Sequence, residues 1–141
     1  MITEEKSYGI VVVLRDSEDM FLLLQHIAGH WGFPKGHKDG NETIKETALR
    51  ELKEESGIVD CEIIDSPMIS EEYTYEYNKN THHKIVQYLV GFVKNKNISI
   101  QKGEIADYKW AKYDEALEIL TYGNNKEVLR KAQEYISRIQ M

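Results

Sequence analysis

Residues Ile44 to Ser56 spell a helix that carries acids on the side where it also carries apolar residues, and few folds can place such a helix. Thr43 supplies a side-chain cap, Glu46 completes a capping box, and Gly57 supplies the stop. At about 100° per residue, Glu51 and Glu55 stand one turn apart on one face. Glu54 lies on the other side of Glu51, within reach of the same space. Ile44 and Ala48 share the sector of these carboxylates, and Leu52 lies at its edge. Lys45, Glu46 and Lys53 lie on the opposite side, and Leu49 falls among them. A face expected to turn inward therefore gathers like charges. Burying them costs several kcal/mol each unless they are paired or bind a cation. Oxygen ligands gathered in this way suit Mg²⁺ or Mn²⁺. Charge alone also fits a solvated acidic helix balanced by lysines.

The rest of the chain alternates short β-rich runs with turns. Tyr8 to Leu14 and Met20 to Gln25 flank the polar stretch Asp16-Ser17-Glu18-Asp19 and predict a hairpin. Gly29 to Asn41 predicts a glycine-rich loop. Ile58 to Ile64, Met68 to Tyr77, Lys84 to Val93 and Asp107 to Ala111 predict strands. Tyr113 to Leu120 and Lys126 to Ile139 predict helices. Helices dispersed among more numerous strands imply an α+β fold, a mixed sheet with helices packed on it. The stripe Val128, Leu129, Ala132, Tyr135, Ile136 and Ile139 can cover that sheet or pair with another chain, so monomer and homodimer both stay open.

A chain of 141 residues suits one domain spanning 1–141. No run approaches the ~20 apolar residues of a membrane span, so no membrane partner is expected. The first residues show no secretory signal, and the single cysteine, Cys61, cannot form an internal disulfide. Together these favour a cytoplasmic setting. Cys61 reads as a small packed residue. A net charge of −6 argues against long nucleic acid as a partner. It leaves room for a small polyphosphate, because a divalent cation inverts the field over carboxylates.

Gly36, five residues, Glu42, seven residues, and then Arg50-Glu51-Leu52-Lys53-Glu54-Glu55-Ser56-Gly57-Ile58 resembles the Nudix hydrolase signature at every fixed position. From average residue usage, a chance match is on the order of one in a million or rarer. The resemblance implies an α/β/α sandwich with a loop-helix-loop metal site, and hydrolysis of a nucleoside diphosphate linked to another group. It implies Glu51 and Glu55 as principal metal ligands, Glu54 as a further ligand or the base, and the Gly36 carbonyl in the metal shell. Arg50 would orient the glutamates, and Glu42 would brace the helix through Arg50.

The flanking residues resemble one subgroup, the asymmetrical diadenosine tetraphosphate hydrolases. His30-Trp31-Gly32-Phe33-Pro34-Lys35-Gly36-His37 resembles the entry to their box, which implies His30, Lys35 and His37 on phosphate oxygens. Lys84-Ile85-Val86-Gln87-Tyr88-Leu89 resembles a strand that sets Lys84 and Tyr88 beside the polyphosphate. Gly103-Glu104 before Asp107-Tyr108-Lys109-Trp110 marks Glu104 as a metal ligand or alternative base. Leu120-Thr121-Tyr122 resembles a segment that offers Tyr122 to the adenine ring. Tyr73, Tyr75 and Tyr77 alternate on one strand face. Some of the three can join Tyr122 in a base clamp, Tyr77 being carried with the substrate-binding set, and cross-strand packing competes for at least two of them. His82-His83 stands where relatives carry more lysine, which reduces the positive charge near the phosphates.

The implied reaction is Mg²⁺-dependent attack of water on phosphorus, taking diadenosine tetraphosphate to ATP and AMP. A nucleoside triphosphate, capped RNA end or sugar nucleotide is the alternative substrate. A nucleotide sensor without turnover is the alternative class.

Overall fold

The apolar runs at Ile10–Leu14 and Phe21–Leu24 are continuous rather than alternating, which suits strands buried on both faces. The structure, a computed structural model, describes residues 2–139. Its elements are β1 (Ile2–Arg15), β2 (Asp19–His26), the short β3 (Trp31–Gly32) and β4 (Lys35–Gly36), and α1 (Ile44–Ser56). β5 (Glu62–Ile63), β6 (Ile69–Tyr77), β7 (Asn80–Val93), β8 (Ile105–Lys112), α2 (Tyr113–Ile119) and α3 (Gly123–Ser137) follow.

β1 is the spine of a mixed sheet. It runs parallel to β7 from Ile2↔Thr81 to Leu14↔Val93, and antiparallel to β2 and β4 on its other edge. β8 pairs with the far edge of β2, and β6 pairs with β7. Side chains alternate across this sheet. Ile10, Val12, Leu14, Leu22 and Leu24 bury against Ala48 and Leu52 of α1. Val11, Val13, Phe21 and Leu23 bury with Ala116 of α2 and with Val128, Leu129, Ala132 and Ile136 of α3. Each buried Val, Leu, Ile or Phe among these contributes about 1.5–3 kcal/mol. The result is a three-layer α/β/α sandwich in the α+β class, with α1 on one face and α2 and α3 on the other. The C-terminal stripe covers the sheet through its buried residues. Among the described residues, no helix is long and apolar enough to cross a membrane.

The expected hairpin of β1 and β2 is present, and Thr43 and Glu46 form the capping box. Gly57 ends α1 at φ 79°. Other boundaries differ. The loop predicted over Gly29 to Asn41 contains β3 and β4, because Lys35 and Gly36 ladder onto Gly9 and Tyr8. That approach needs glycine at position 9, since a Cβ there would collide with the Pro34 carbonyl. The strand predicted over Ile58 to Ile64 shrinks to Glu62–Ile63, because Ile58 turns into the core below α1 instead of pairing. The last helix starts at Gly123, since Asn125 and Lys126 already donate to the Tyr122 carbonyl. Leu49, expected outward, packs partly against the α1-side core. α1 is buried over a wider arc than its apolar stripe implies, and Thr47 and Ser56 are enclosed as well. Their hydroxyls are satisfied by Glu42 and by the Leu52 carbonyl.

Candidate active site

Arg50 is the hub of the acid helix. Its Nε donates to Glu42 Oε2 at 2.7 Å and its Nη1 to Glu51 Oε1 at 3.0 Å and Glu54 Oε1 at 3.1 Å. Nη2 donates to the His37 carbonyl at 2.8 Å and to Glu42 Oε1 at 3.1 Å. A guanidinium can serve this many acceptors because its donors form a rigid planar fork. Glu42 also accepts from the Asp39 backbone N–H at 2.7 Å and from the Thr47 hydroxyl at 3.1 Å. The Arg50 hydrogen bond, then the Asp39 N–H, hold its carboxyl down at about 2. Glu42 thus ties the loop after β4 to α1, and Arg50 spans from that tie to the two acids.

Glu55 is only 4% exposed and accepts one hydrogen bond, from the Lys35 backbone N–H at 3.1 Å. Burial pushes its carboxyl up to about 8, and Glu51 and Glu104 push the same way. Glu51 is raised too, first by burial, with Arg50 opposing. Gly36 lies against Glu51, and a Cβ at position 36 would run into that carboxylate. Glu51, Glu54, Glu55, Glu104 and Gly36 line one cavity of about 480 Å³, together with Lys35, His37 and Lys84. Among the described residues, no three carboxylate, imidazole or thiol groups already converge into a finished metal cage. Part of the reason is visible, since Glu51 and Glu54 turn toward Arg50. The donor set nonetheless fits a hard divalent cation: the oxygens are carboxylates, and Glu55 is a buried acid short of partners.

A second cavity of about 530 Å³ adjoins the first, and His26 and Lys35 line both. Its walls are largely aromatic: Phe33, Tyr73, Tyr88, Tyr122 and His30, with Glu71 and Asn125 at the back. The turn after β2 brings His26 and His30 together as stacked rings, 4.3 Å apart at 13°. Tyr122 reaches the stack at 5.6 Å from His30. It is held there because the Trp31 N–H donates to the Thr121 hydroxyl at 2.9 Å. Burial, then His30 and Lys35, push His26 down to about 4, and burial lowers His30 as well. Both rings are therefore neutral hydrogen-bonding groups near pH 7 rather than cations. Lys35 is lowered by burial and by Lys84, while Glu71 and Glu55 oppose.

The structure brings Gly36, Glu51, Glu54, Glu55, Glu104, Lys35, His37 and Lys84 to the acid cavity, and His30, Lys35, Tyr88 and Tyr122 to the aromatic one. Tyr88 is a wall rather than an open contact: it is wholly buried, and its hydroxyl donates to Glu71 at 3.0 Å. Tyr77 lies at the tip of the hairpin of β6 and β7 and lines neither cavity. Sequence reasoning missed His26, Glu71 and Asn125. His26 and His30 are four residues apart around Gly29, which was a readable cue. Nothing local marked Glu71, whose partners are 17 and 54 residues away. Cys61 packs beside Gly91, and burial pushes its thiol up to about 12, so no thiolate chemistry arises there.

A family model described as the NUDIX domain matches residues 5–132. The chain is 35% identical over 119 residues to the asymmetrical bis(5'-nucleosyl)-tetraphosphatase of Rattus norvegicus, covering 82% of this chain and 80% of the relative. It is 31% identical over 121 residues to an RNA pyrophosphohydrolase of a Sulfurovum strain, covering 78% of this chain and 76% of the relative. A crystal structure of a C. elegans Ap4A hydrolase binary complex superimposes with a TM-score of 0.80 at 28% identity, covering 95% of this chain and 98% of that one.

Proposed function

This chain belongs to the Nudix family of pyrophosphohydrolases, and from that premise we propose that it is a Mg²⁺-dependent hydrolase of dinucleoside polyphosphates, taking diadenosine tetraphosphate to ATP and AMP. The observation that carries the reading is the adjacency of an acid-lined cavity and an aromatic cavity that share His26 and Lys35. Such a pair accepts a polyphosphate on one side and a purine on the other. The relatives named tetraphosphatases and Ap4A hydrolase support the same choice.

In this reading Glu51, Glu55, Glu54 and the Gly36 carbonyl hold the cation, with Glu104 joining from the loop before β8. A divalent cation held there neutralises phosphate oxygens and makes a water more acidic. Glu54, the most exposed of the three helix acids, takes the proton of the attacking water as general base, with Glu104 the alternative. Arg50 fixes the rotamers of Glu51 and Glu54 through its Nη1. Lys35 and Lys84 hold the phosphate chain, Lys35 offering its charge on the leaving side. His30 and His37 donate hydrogen bonds to phosphate oxygens. Tyr122 and Tyr73 offer their rings to one base, a stack worth ~1–3 kcal/mol. No covalent enzyme intermediate is required, since water reaches phosphorus directly.

Mass spectrometry of the products of diadenosine tetraphosphate in ¹⁸O-water tests this. ATP and AMP, with one ¹⁸O between them, are expected only when Mg²⁺ or Mn²⁺ is present. Absence of turnover on the dinucleotide, with release of pyrophosphate from a 5'-triphosphorylated RNA, would replace it by RNA-end hydrolysis.

A further inference from the structure

The outer half of the hairpin of β6 and β7 projects past both cavities and carries a row of aromatic rings on one face. Tyr73, Tyr75 and Tyr77 face Lys84, His82 and Asn80 across the ladder. The row begins inside the site: Tyr73 lines the aromatic cavity and Lys84 the acid cavity. It then leaves the site in same-face steps of ~7 Å. Tyr75 stacks on His82 with ring centroids 4.9 Å apart at 14°. Tyr73 adjoins Tyr75 at 6.3 Å, and Tyr77 adjoins His82 at 6.3 Å. Tyr73, Tyr75 and Tyr77 remain 36%, 37% and 64% exposed.

This surface is built rather than incidental. The Tyr75 hydroxyl donates to Glu5 Oε1 at 2.9 Å, and Glu5 Oε2 lies 3.7 Å from Lys84 Nζ. Glu5 sits on β1 and so fixes the Tyr75 ring relative to the lysine that faces the phosphates. Both ring nitrogens of His82 are enclosed without a hydrogen-bond partner, although Glu5 lies 3.4 Å from Nδ1. His82 therefore serves the surface with its flat face, as a backing for Tyr75.

We propose that this platform is a second base-stacking subsite, with the ring of Tyr75, backed by His82 and edged by Tyr77, receiving the nucleobase at the far end of the polyphosphate from the base held by Tyr122. The inference rests on the reading that the substrate carries two nucleosides. Its geometric warrant is continuity: the same sheet face holds Lys84 at the phosphates and Tyr75 one step further out. Stacking also suits an exposed site, since every base presents a π-face and needs no buried hydrogen bond.

Calorimetry with non-hydrolysable methylene analogues tests the platform without needing turnover. Wild type is expected to bind the two-base diadenosine tetraphosphate analogue about tenfold more tightly than the one-base adenosine tetraphosphate analogue. Tyr75→Ala should reduce that ratio to within about twofold of unity, and Tyr75→Phe should keep it. Tyr77→Ala, at the exposed tip where folding is not at stake, should lower it partway. A wild-type ratio near one overturns the proposal. So does a Tyr75→Ala variant that weakens both ligands equally, because that outcome marks a structural role. A twofold or smaller ratio for the dinucleoside, with a large advantage for a 5'-triphosphorylated dinucleotide, also overturns it, in favour of an RNA chain. Failure to hydrolyse diadenosine tetraphosphate, with the binding ratio intact, would sink the proposed reaction and leave the platform standing.

Discussion

Glu55 and Glu71 are both glutamates enclosed beside Lys35, at 4% and 7% exposure, yet their surroundings could hardly differ more. Glu71 accepts from the Tyr88 hydroxyl and from the Asn125 amide. Burial raises its carboxyl, and its neighbours all act to lower it again. Glu55 accepts a single backbone N–H and faces two further carboxylates, which add to the effect of burial. One acid is completed by the protein, and the other keeps its remaining lone pairs toward the acid cavity, where the proposed cation would take them. A buried polar group that the fold satisfies is a brace. One that the fold leaves short of partners is a site.

Glu54 is the sharpest edge of that contrast, and Glu54→Gln should lower kcat by roughly 10²–10⁴-fold with little change in the unfolding midpoint. Near-normal turnover would remove it as the base and move attention to Glu104. Glu55→Gln should cut turnover on the order of 10³-fold and weaken Mg²⁺ uptake measured by calorimetry. The metal-free protein should be no less stable for it. If Glu71→Gln lost as much turnover as Glu55→Gln, the contrast would be broken.

Removing the brace should cost stability instead. Glu71→Ala leaves the Tyr88 hydroxyl and the Asn125 amide enclosed and unpaired, at about 1–3 kcal/mol in urea unfolding. A neutral result would mean that the network carries no load. The smallest effect is a slope. Glu55 has its folded value near 8 against an ordinary 4.5, so from about pH 4.5 to 8 the native state keeps a proton that the unfolded chain has lost. Stability of the metal-free protein should therefore fall as pH rises through that window, by at most ~1.4 kcal/mol per unit from this group. Glu51 and Glu71, also raised, act in the same direction. Saturating Mg²⁺ or the Glu55→Gln substitution should flatten the Glu55 share. Unfolding curves from pH 5 to 8, with chelator and with Mg²⁺, check the sign. An unchanged slope in Glu55→Gln would contradict the raised carboxyl.

Much of the architecture was legible because its cues are local. Thr43, Glu46 and Gly57 marked both ends of α1, and the runs Tyr8 to Leu14 and Met20 to Gln25 marked the central strands. The positions of Glu51, Glu54 and Glu55 on one side of a helix follow from helical spacing alone. The aromatic cavity was only half legible. Tyr122 and His30 were placed by a family likeness, whereas Glu71 and Asn125 carried no pattern of their own. Two-residue strands such as β3 and β4 also escaped, since a ladder that short leaves no period to read. Strand alternation set Tyr77 on the face it shares with Tyr73 and Tyr75, and only the length of the hairpin places it beyond the linings of both cavities.

The sequence by itself determined the periods: which helix side gathers acid, which strand residues must be enclosed, where caps and turns interrupt them. These depend on neighbours within a turn or a step, whose geometry is nearly the same in any fold. The tertiary structure alone decided that Lys35 stands between two cavities, that Glu71 closes on Tyr88 and Asn125, and that Glu5 joins Tyr75 to Lys84. The hydrogen-bonded pairs among these join residues 17 to 70 positions apart, and only the pairing of β1 and β6 with β7, with α3 packed on the same face, brings them together.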